Sequence, residues 1–164
     1  MNLITILKTK YLIISFLLIS FIPSIHSCSK LSDNGDLDGK WQLLEMYSKT
    51  TESAANYTEF ENKADKRIYW MFQMELLNIR SWTRLENVLG EDIMARFAHN
   101  GNEMRVGPTY VHFRERDSLL TDPSTTLLEP VGIRGNAANF QIKVLNSKSM
   151  ILCSEKDSLI FKKK

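Results

Sequence analysis

Alternating apolar and polar residues, grouped in short runs between polar turns, constrain the fold more than any other feature of this sequence. The longest run covers residues 66–79, where every second side chain is large and apolar: Ile68, Trp70, Phe72, Met74 and Leu76. Successive side chains of a β-strand point to opposite faces, so this pattern predicts one long, half-buried strand. Similar runs recur from Trp41 to Phe161 and give about eight strands, a number that suits a closed antiparallel barrel. We therefore predict an all-β fold with a single antiparallel eight-stranded barrel.

The residues between the runs predict particular turns. Asn100-Gly101 is typical of a tight type I′ hairpin, because both central positions of that turn need positive φ. Gly107-Pro108 predicts a corner or a bulge, because proline has no amide hydrogen to give to a strand ladder. Asp122-Pro123 is typical of a helix start, so we predict a short helix over residues 123–128 that ends by Gly132. This helix would pack its leucines, Leu127 and Leu128, against the mouth of the barrel.

The N-terminal residues are typical of a secretion signal. Lys8 and Lys10 precede an apolar run over residues 11–22, and Pro23 and small residues follow before Cys28. A helix needs about 20 apolar residues to cross the hydrocarbon core, so this run is too short for a permanent span. We predict that residues 1–27 form a cleaved signal peptide.

The four residues at that boundary, Ile25-His26-Ser27-Cys28, resemble the lipobox of bacterial lipoproteins. The resemblance implies cleavage before Cys28, a diacylglycerol on its sulfur and acylation of its amine, which together give stable anchoring. It places the protein in the cell envelope, lipid-anchored to the outer membrane and facing either the periplasm or the cell surface. Residues 28–38 would then be a flexible acidic tether, and residues 39–164 would be the barrel.

Length and charge exclude other classes of function. Without residues 1–27 the chain has the length of one domain with one core. The signal contains Lys8 and Lys10 and no acid, so the remaining chain carries 19 basic and 19 acidic residues. This neutral balance gives no reason to expect a nucleic-acid partner. If Cys28 is lipidated, Cys153 has no partner for an intramolecular disulfide.

Over its whole mature length the chain resembles the lipocalin-like domains of bacterial envelope lipoproteins. The resemblance is carried by Gly39-Lys40-Trp41-Gln42-Leu43, by Tyr69-Trp70-Met71-Phe72-Gln73 and by the last strands at residues 140–142 and 159–161. It implies that Trp41 closes one end of an eight-stranded cup. Typical lipocalins stack an arginine of the final strand over that tryptophan, and here Lys162 is expected to take its place.

The barrel interior decides the function that the resemblance implies. An eight-stranded barrel either fills with side chains or holds one small ligand. The side chains predicted to face inward, and hence the candidate ligand-binding residues, are Trp41, Leu43, Trp70, Phe72, Met74, Phe97, Val111, Phe113 and Phe140. The first hypothesis is a small apolar ligand inside the barrel. The alternative is a filled barrel that docks onto another envelope protein through loops such as residues 49–65 and 117–139.

Catalytic and metal chemistry find little support in the sequence. His99 and His112 are the only histidines after Cys28, and neither lies at metal-ligand spacing from another donor. Glu75 and Glu103 are isolated carboxylates on predicted strands. The chain has no nucleophile elbow, glycine-rich phosphate loop or Cys-x-x-Cys motif. We therefore predict no enzymatic activity, no metal site and no cofactor.

Overall fold

Ten β-strands dominate the residues that the structure, a computed structural model, describes: 34–51, 53–83, 92–113 and 116–164. The strands are β1 (Gly39–Ser48), β2 (Glu59–Asn62), β3 (Ile68–Gln73), β4 (Leu76–Ser81), β5 (Asp92–Asn100), β6 (Glu103–Phe113), β7 (Arg116–Leu119), β8 (Ala138–Leu145), β9 (Ser149–Cys153) and β10 (Asp157–Lys163). Three short 3-10 turns, at Gly35–Leu37, Ala64–Lys66 and Glu129–Val131, complete the regular structure of these residues.

Eight of these strands close into a barrel. Neighbours follow the order β1, β3, β4, β5, β6, β8, β9 and β10, and β10 pairs back with β1. In the closing pair Trp41 lies opposite Lys163, and Ser48 lies opposite Asp157. Every pair around the ring is antiparallel. The predicted all-β fold with a single antiparallel eight-stranded barrel is therefore confirmed.

The other two strands lengthen the barrel at one end. β2 pairs with residues 45–48 of β1, and β7 pairs with residues 110–113 of β6. The connections at residues 49–58, 63–67 and 120–137 lie at this same end, named here the loop end. The opposite end, named the closed end, carries the short turns at residues 74–75, 101–102 and 146–148 and the Gly35–Leu37 turn.

The alternation in the sequence sets the core. In β3, Ile68, Trp70 and Phe72 are buried, whereas Tyr69 and Met71 between them are only partly covered. The same alternation places one face of β8, β9 and β10 in the barrel interior. Because the side-chain period of a strand is two, one buried face per strand is enough to fill the space inside the ring.

The single strand predicted over residues 66–79 is wrong, because the chain reverses within it. β3 ends at Gln73 and β4 begins at Leu76, and these two residues pair across a turn formed by Met74 and Glu75. Met74 has a φ of 55°, in the left-handed region that non-glycine residues rarely adopt. Its side chain is 55% exposed. Met74 therefore faces solvent at the closed end, and the prediction that it lines the barrel interior is wrong.

The hairpin predicted after β5 is present, but its turn lies one residue later than expected. Asn100 pairs with Glu103, so Gly101 and Asn102 form the turn. Of these two residues only Gly101 has positive φ, at 58°. A glycine with positive φ at the first central position is the pattern of a type II′ turn, which replaces the predicted type I′ turn.

The bulge predicted at Gly107-Pro108 is confirmed. Phe97 pairs with Val106, and Ala95 pairs with Thr109, so β6 carries one residue more than β5 between these pairs. An extra residue in one strand exchanges the faces of the residues that follow it.

The helix predicted over residues 123–128 is replaced by a later 3-10 turn at Glu129–Val131. The carboxylate of Asp122 accepts hydrogen bonds from the backbone N–H and the hydroxyl of Ser124, at 2.8 and 2.7 Å. Such local side-chain bonds favour a turn over a helix, which explains the difference. Gly132, with φ 92°, ends the 3-10 turn in the role predicted for it.

The segment predicted as a flexible tether, residues 28–38, is partly built into the fold. Leu37 is fully buried. The side-chain amide of Asn34 donates to the carboxylate of Asp38 at 2.9 Å and to the carbonyl oxygen of Met74 at 2.6 Å. The ordered barrel unit therefore begins before residue 39. The predicted signal peptide and Cys28 lie outside the described residues.

Candidate functional site

An aromatic cluster occupies the middle of the barrel. The ring centre of Trp70 lies 5.2 Å from that of Phe161 and 5.8 Å from that of Phe140. Phe72 lies 6.1 Å from Trp70 and 5.0 Å from Phe97, with the two phenylalanine rings at 82°. Tilted and edge-to-face arrangements at these distances are favourable for aromatic rings. These side chains are the walls that an interior ligand would contact.

Trp41 seals the closed end. Its indole Nε1 donates a hydrogen bond of 2.7 Å to the carbonyl oxygen of Leu37, and both residues are fully buried. On the outer side, Nζ of Lys163 lies 5.0 Å from the Trp41 ring centre and donates to the carbonyl oxygen of Asp36 at 2.6 Å. The cation over the ring is therefore Lys163 and not Lys162, because Lys163 is the residue opposite Trp41 in the strand pair.

Residues 120–137, named here the plug loop, close the loop end of the barrel. Leu128, Val131 and Ile133 of this loop are fully buried in the same core as the barrel side chains. The carbonyl oxygen of Val131 accepts a hydrogen bond of 3.1 Å from Nε1 of Trp70. Leu127, predicted to pack beside Leu128, is only half-buried. The plug loop thus reaches the aromatic cluster and occupies the space at the mouth.

A charged pair, named here the clamp, holds the plug loop to the barrel. Nε of Arg134 lies 2.6 Å from Oδ2 of Asp157, and Nη2 lies 3.0 Å from Oδ1. Asp157 is 1% exposed and also accepts a hydrogen bond of 2.6 Å from the hydroxyl of Ser48. The carboxylate of Glu129 lies 3.2 Å from Nη1 of Arg134. The hydrogen bonds that Arg134 donates to Asp157, followed by the nearby carboxylate charges, raise the pKa of Arg134 above its ordinary value.

Thr109 places a hydroxyl without a partner in the barrel wall. The residue is 0% exposed. It lies opposite the buried Ala95 and two residues before the buried Val111, so its side chain shares their inward face. Its Oγ1 has no hydrogen-bond partner within the part of the chain that the structure describes. A buried hydroxyl without a partner is unfavourable by about 1–3 kcal/mol. A ligand with a hydrogen-bonding group would remove that penalty.

The structure brings most of the predicted interior residues together. Seven of them are buried in the barrel: Trp41, Leu43, Trp70, Phe72, Phe97, Val111 and Phe140. Met74 is excluded because it lies in a turn, and the side chain of Phe113 is outside the described residues. Thr109, the clamp and the depth of the plug loop were not predicted from the sequence. Leucine, valine and isoleucine in an otherwise polar loop were the available signal for the plug, whereas nothing in the sequence connects Arg134 with Asp157.

The described residues form two clefts on the outer surface, one along the barrel wall and the other at the loop end. The larger, of about 600 Å³, is lined mainly by outward-facing residues of β5, β6, β8 and β9. The other, of about 530 Å³, runs beside the plug loop and includes Arg134 and Glu155. Charged groups of both signs, such as Glu103 and Lys143, line the larger cleft. Most of the surface of the larger cleft is nevertheless apolar, whereas polar surface slightly exceeds apolar surface in the other, and both lie outside the predicted barrel cup.

The geometry agrees with the comparisons to known proteins. A family model described as a lipocalin-like domain matches residues 20–164. The chain belongs to this lipocalin-like family. A solved lipocalin-like protein from Bacteroides uniformis ATCC 8492 shares its fold, with 19% identity and a TM-score of 0.53 over 79% of this chain and 100% of that chain. An uncharacterized protein from Bacteroides eggerthii DSM 20697 is 16% identical, with a TM-score of 0.48 over 77% of this chain and 98% of that chain. No curated protein matches the sequence.

The lipocalin-like fold is generally a non-enzymatic binding fold. The two histidines that the structure describes make local contacts. Nδ1 of His112 lies 2.6 Å from the carboxylate of Asp117, and Nε2 of His99 lies 2.8 Å from the carbonyl oxygen of Gly101. Across the described ranges, no group of three or more His, Cys, Asp or Glu side chains is placed to hold a metal ion. Nor do these ranges contain a helix long and apolar enough to cross a membrane.

Proposed function

We propose that this lipocalin-like protein is a lipid-anchored, non-enzymatic binding protein of the cell envelope, and that it holds a small, largely apolar ligand inside the barrel. The observation that carries the proposal is Thr109, whose buried hydroxyl lacks a partner among the described residues. Small-molecule sites typically combine apolar walls with a few polar groups that orient the ligand. The ligand would place one hydrogen-bonding group at Thr109 and its apolar body against the aromatic cluster.

Ligand entry requires the plug loop to move. Leu128, Val131 and Ile133 fill the mouth, and the clamp and the hydrogen bond from Trp70 hold them there. When only an open form binds, the apparent dissociation constant equals the intrinsic one divided by the open fraction. A variant with a weakened clamp should therefore bind the ligand more tightly, although it folds less stably.

The test uses the chain from residue 28 onward with Cys28→Ser, purified without detergent, and measures binding of decanol and decane by native mass spectrometry. We expect decanol to bind, and Thr109→Val to weaken decanol binding by about tenfold, which corresponds to about 1.4 kcal/mol. Decane binding should not change in Thr109→Val. Arg134→Met should strengthen binding of both compounds. If neither decanol nor decane binds, even to Arg134→Met, an interior site is contradicted.

The anchor is proposed on Cys28. We expect the protein from its native host to begin at Cys28 and to carry the mass of a diacylglycerol and an additional acyl chain, as intact-mass measurement would show. The Cys28→Ser variant should leave the membrane fraction. A variant that remains membrane-bound would show that lipid on Cys28 is not the anchor.

A second candidate function, docking onto another envelope protein, is favoured by two exposed aromatic side chains at the loop end. Trp82 is 68% exposed and Phe60 is 56% exposed. Aromatic residues are enriched among those that dominate protein interfaces. A partner that co-purifies with the wild type should be lost in Trp82→Ser with Phe60→Ser, whereas decanol binding should persist. Retention of the partner would argue against docking through these two residues.

A further inference from the structure

We propose that the closed end of the barrel docks onto the surface of a bilayer that contains anionic phospholipid. The membrane is the one that holds the acyl chains of Cys28, so this inference rests on the proposed anchor. Three observations carry it: the length of chain between Cys28 and the barrel, an exposed apolar hairpin, and a group of exposed lysines at the same end.

The first observation is the short distance along the chain from Cys28 to the barrel. Asn34 follows Cys28 by six positions. An extended chain spans at most about 3.6 Å per residue, so Asn34 lies within about 22 Å of the acylated cysteine. Asn34 belongs to the closed end, where its side-chain amide contacts the carbonyl oxygen of Met74. The anchor therefore holds the closed end, and not the loop end, near the membrane.

The second observation is an apolar pair beside Asn34. Met74 and Leu76, on the β3–β4 hairpin, are the exposed large apolar side chains of the closed end among the described residues. Water surrounds them in the isolated barrel. Insertion into the boundary between headgroups and acyl chains would remove their apolar surface from water, as for other interfacial anchors.

The third observation is a group of lysines at the end of β10 and in the β8–β9 turn, on the other side of β1 from this hairpin. Lys148 lies in the β8–β9 turn, and Lys162 and Lys164 lie at the end of β10; all three are exposed. The backbone N–H of Lys163 donates to the carbonyl oxygen of Lys148 at 2.9 Å, which holds the two segments together. No ion pair involves the three exposed lysines within the described residues.

Acidic residues at the closed end do not cancel this group. Glu75 pairs with Arg96 at 3.2 Å, whereas Asp38 keeps its charge, because its hydrogen-bond donor Asn34 is neutral. Asp36 also keeps its charge, and Nζ of Lys163 donates to its backbone carbonyl oxygen, which places a fourth lysine beside these two carboxylates. Lys148, Lys162, Lys163 and Lys164 therefore outnumber these two aspartates on the side where β10 ends, and Glu103 lies in the β5–β6 hairpin on the opposite side of the ring. Lysines near an anionic membrane surface are attracted within about one Debye length, roughly 8 Å at physiological salt.

The first experiment adds the acylated full-length mature protein to preformed vesicles of phosphatidylcholine, with or without phosphatidylglycerol. A membrane-impermeant amine reagent then modifies accessible lysines, and mass spectrometry measures each site. We expect modification of Lys148, Lys162 and Lys164 to fall at least fivefold on the anionic vesicles. Lys66, an exposed lysine at the loop end, is the internal control and should react equally on both. If each of the four lysines reacts equally on the two kinds of vesicle, the docking surface is refuted.

The second experiment compares two charge-matched variants through hydroxyl-radical oxidation of Met74. On anionic vesicles the triple variant Lys148→Glu, Lys162→Glu and Lys164→Glu should lose the protection of Met74 seen in the wild type. The control triple variant, Lys66→Glu with Arg105→Glu and Lys143→Glu, should keep it. Lys163 is left unchanged because it contacts Trp41. Protection of Met74 in both variants would refute the role of the lysines.

Vesicle flotation separates the two ways in which the idea can fail. If the wild type does not float with vesicles, the anchor itself is wrong, and the docking inference fails with it. If it floats while Met74 remains fully oxidised, the anchor stands and only the docking surface is refuted. Protection that appears without vesicles and rises with protein concentration would show that a second copy covers this end, which also overturns the proposal.

Discussion

Replacement of Arg134 by methionine should lower the free energy of unfolding by about 2–3 kcal/mol. The change removes two hydrogen bonds to Asp157, which is 1% exposed and keeps only the hydroxyl of Ser48 as a side-chain donor. Removal of one partner of a fully buried ion pair typically costs about 3–5 kcal/mol. The Arg134 side chain is 37% exposed, so water can partly replace the guanidinium and the loss should fall below that range.

Urea unfolding followed by tryptophan fluorescence measures this loss. Arg105→Met is the matched control, because Arg105 is exposed on β6 and its replacement should change the stability by less than about 0.5 kcal/mol. Adding Asp157→Asn to Arg134→Met should recover part of the loss, since a neutral amide is easier to bury than an unpaired carboxylate. If Arg134→Met costs no more than the control, the clamp does not hold the plug loop.

Hydrogen exchange shows whether the loss is local. The backbone N–H groups of Val131 and Ile133 both donate to the carbonyl oxygen of Leu128 at 3.1 Å, inside the plug loop. In Arg134→Met the exchange protection of these two amides should fall by about 30- to 150-fold, the equivalent of 2–3 kcal/mol. The amides of the central strands should lose less protection than these two. A uniform fall across the barrel would show that the plug loop does not open separately, which would also remove the proposed route for the ligand.

The remaining predictions concern single positions. Gly135→Ala should lower the free energy of unfolding measured in urea by about 3 kcal/mol or more, because φ is 79° and the new Cβ would lie 2.4 Å from a backbone carbonyl oxygen. Gly101→Ala is the control: φ is 58° and no atom lies within 4 Å of the new Cβ, so the loss should be only about 1 kcal/mol. Thr109→Val should stabilise the ligand-free protein by about 1 kcal/mol in the same assay, since it removes a hydroxyl without a partner. Lys163→Met should cost about 1–2 kcal/mol, and Lys163→Arg should recover most of it. Burial raises the pKa of Tyr57 above its ordinary value. The stability that the neutral phenol contributes is therefore present below about pH 10 and is lost as the pH rises through the raised pKa. Tyr57→Phe should reduce this alkaline loss of stability, as urea unfolding measured from pH 8 to 11 would show.

The barrel could be predicted from the sequence because its strands obey a local rule. Alternation puts Trp70 and Phe72 on one face of a strand regardless of which strands pair with it, and Asn100 followed by glycine favours a hairpin regardless of distant residues. The turn at Met74 and Glu75 had no such local signal, since neither residue is typical of a tight turn. It depends on tertiary contacts: Asn34, forty residues away, donates to the carbonyl oxygen of Met74. A single sequence does not reveal a turn that distant residues stabilise.

The interior site shows a different limit. A filled barrel and a ligand cup need the same apolar inward residues, so the pattern alone left both hypotheses open. The residue on which the ligand proposal rests is Thr109, and its orientation depends on the bulge. Without an extra residue after Val106, alternation would point positions 108 and 110 inward and Thr109 outward. The bulge at Gly107-Pro108 reverses that order, so the hydroxyl of Thr109 turns inward beside Val111. The sequence predicted the bulge and the inward Val111 independently, and together they already required an inward Thr109. The inward hydroxyl at the proposed site is thus a consequence of one added residue in β6, which makes the bulge part of the proposed binding geometry as well as of the fold.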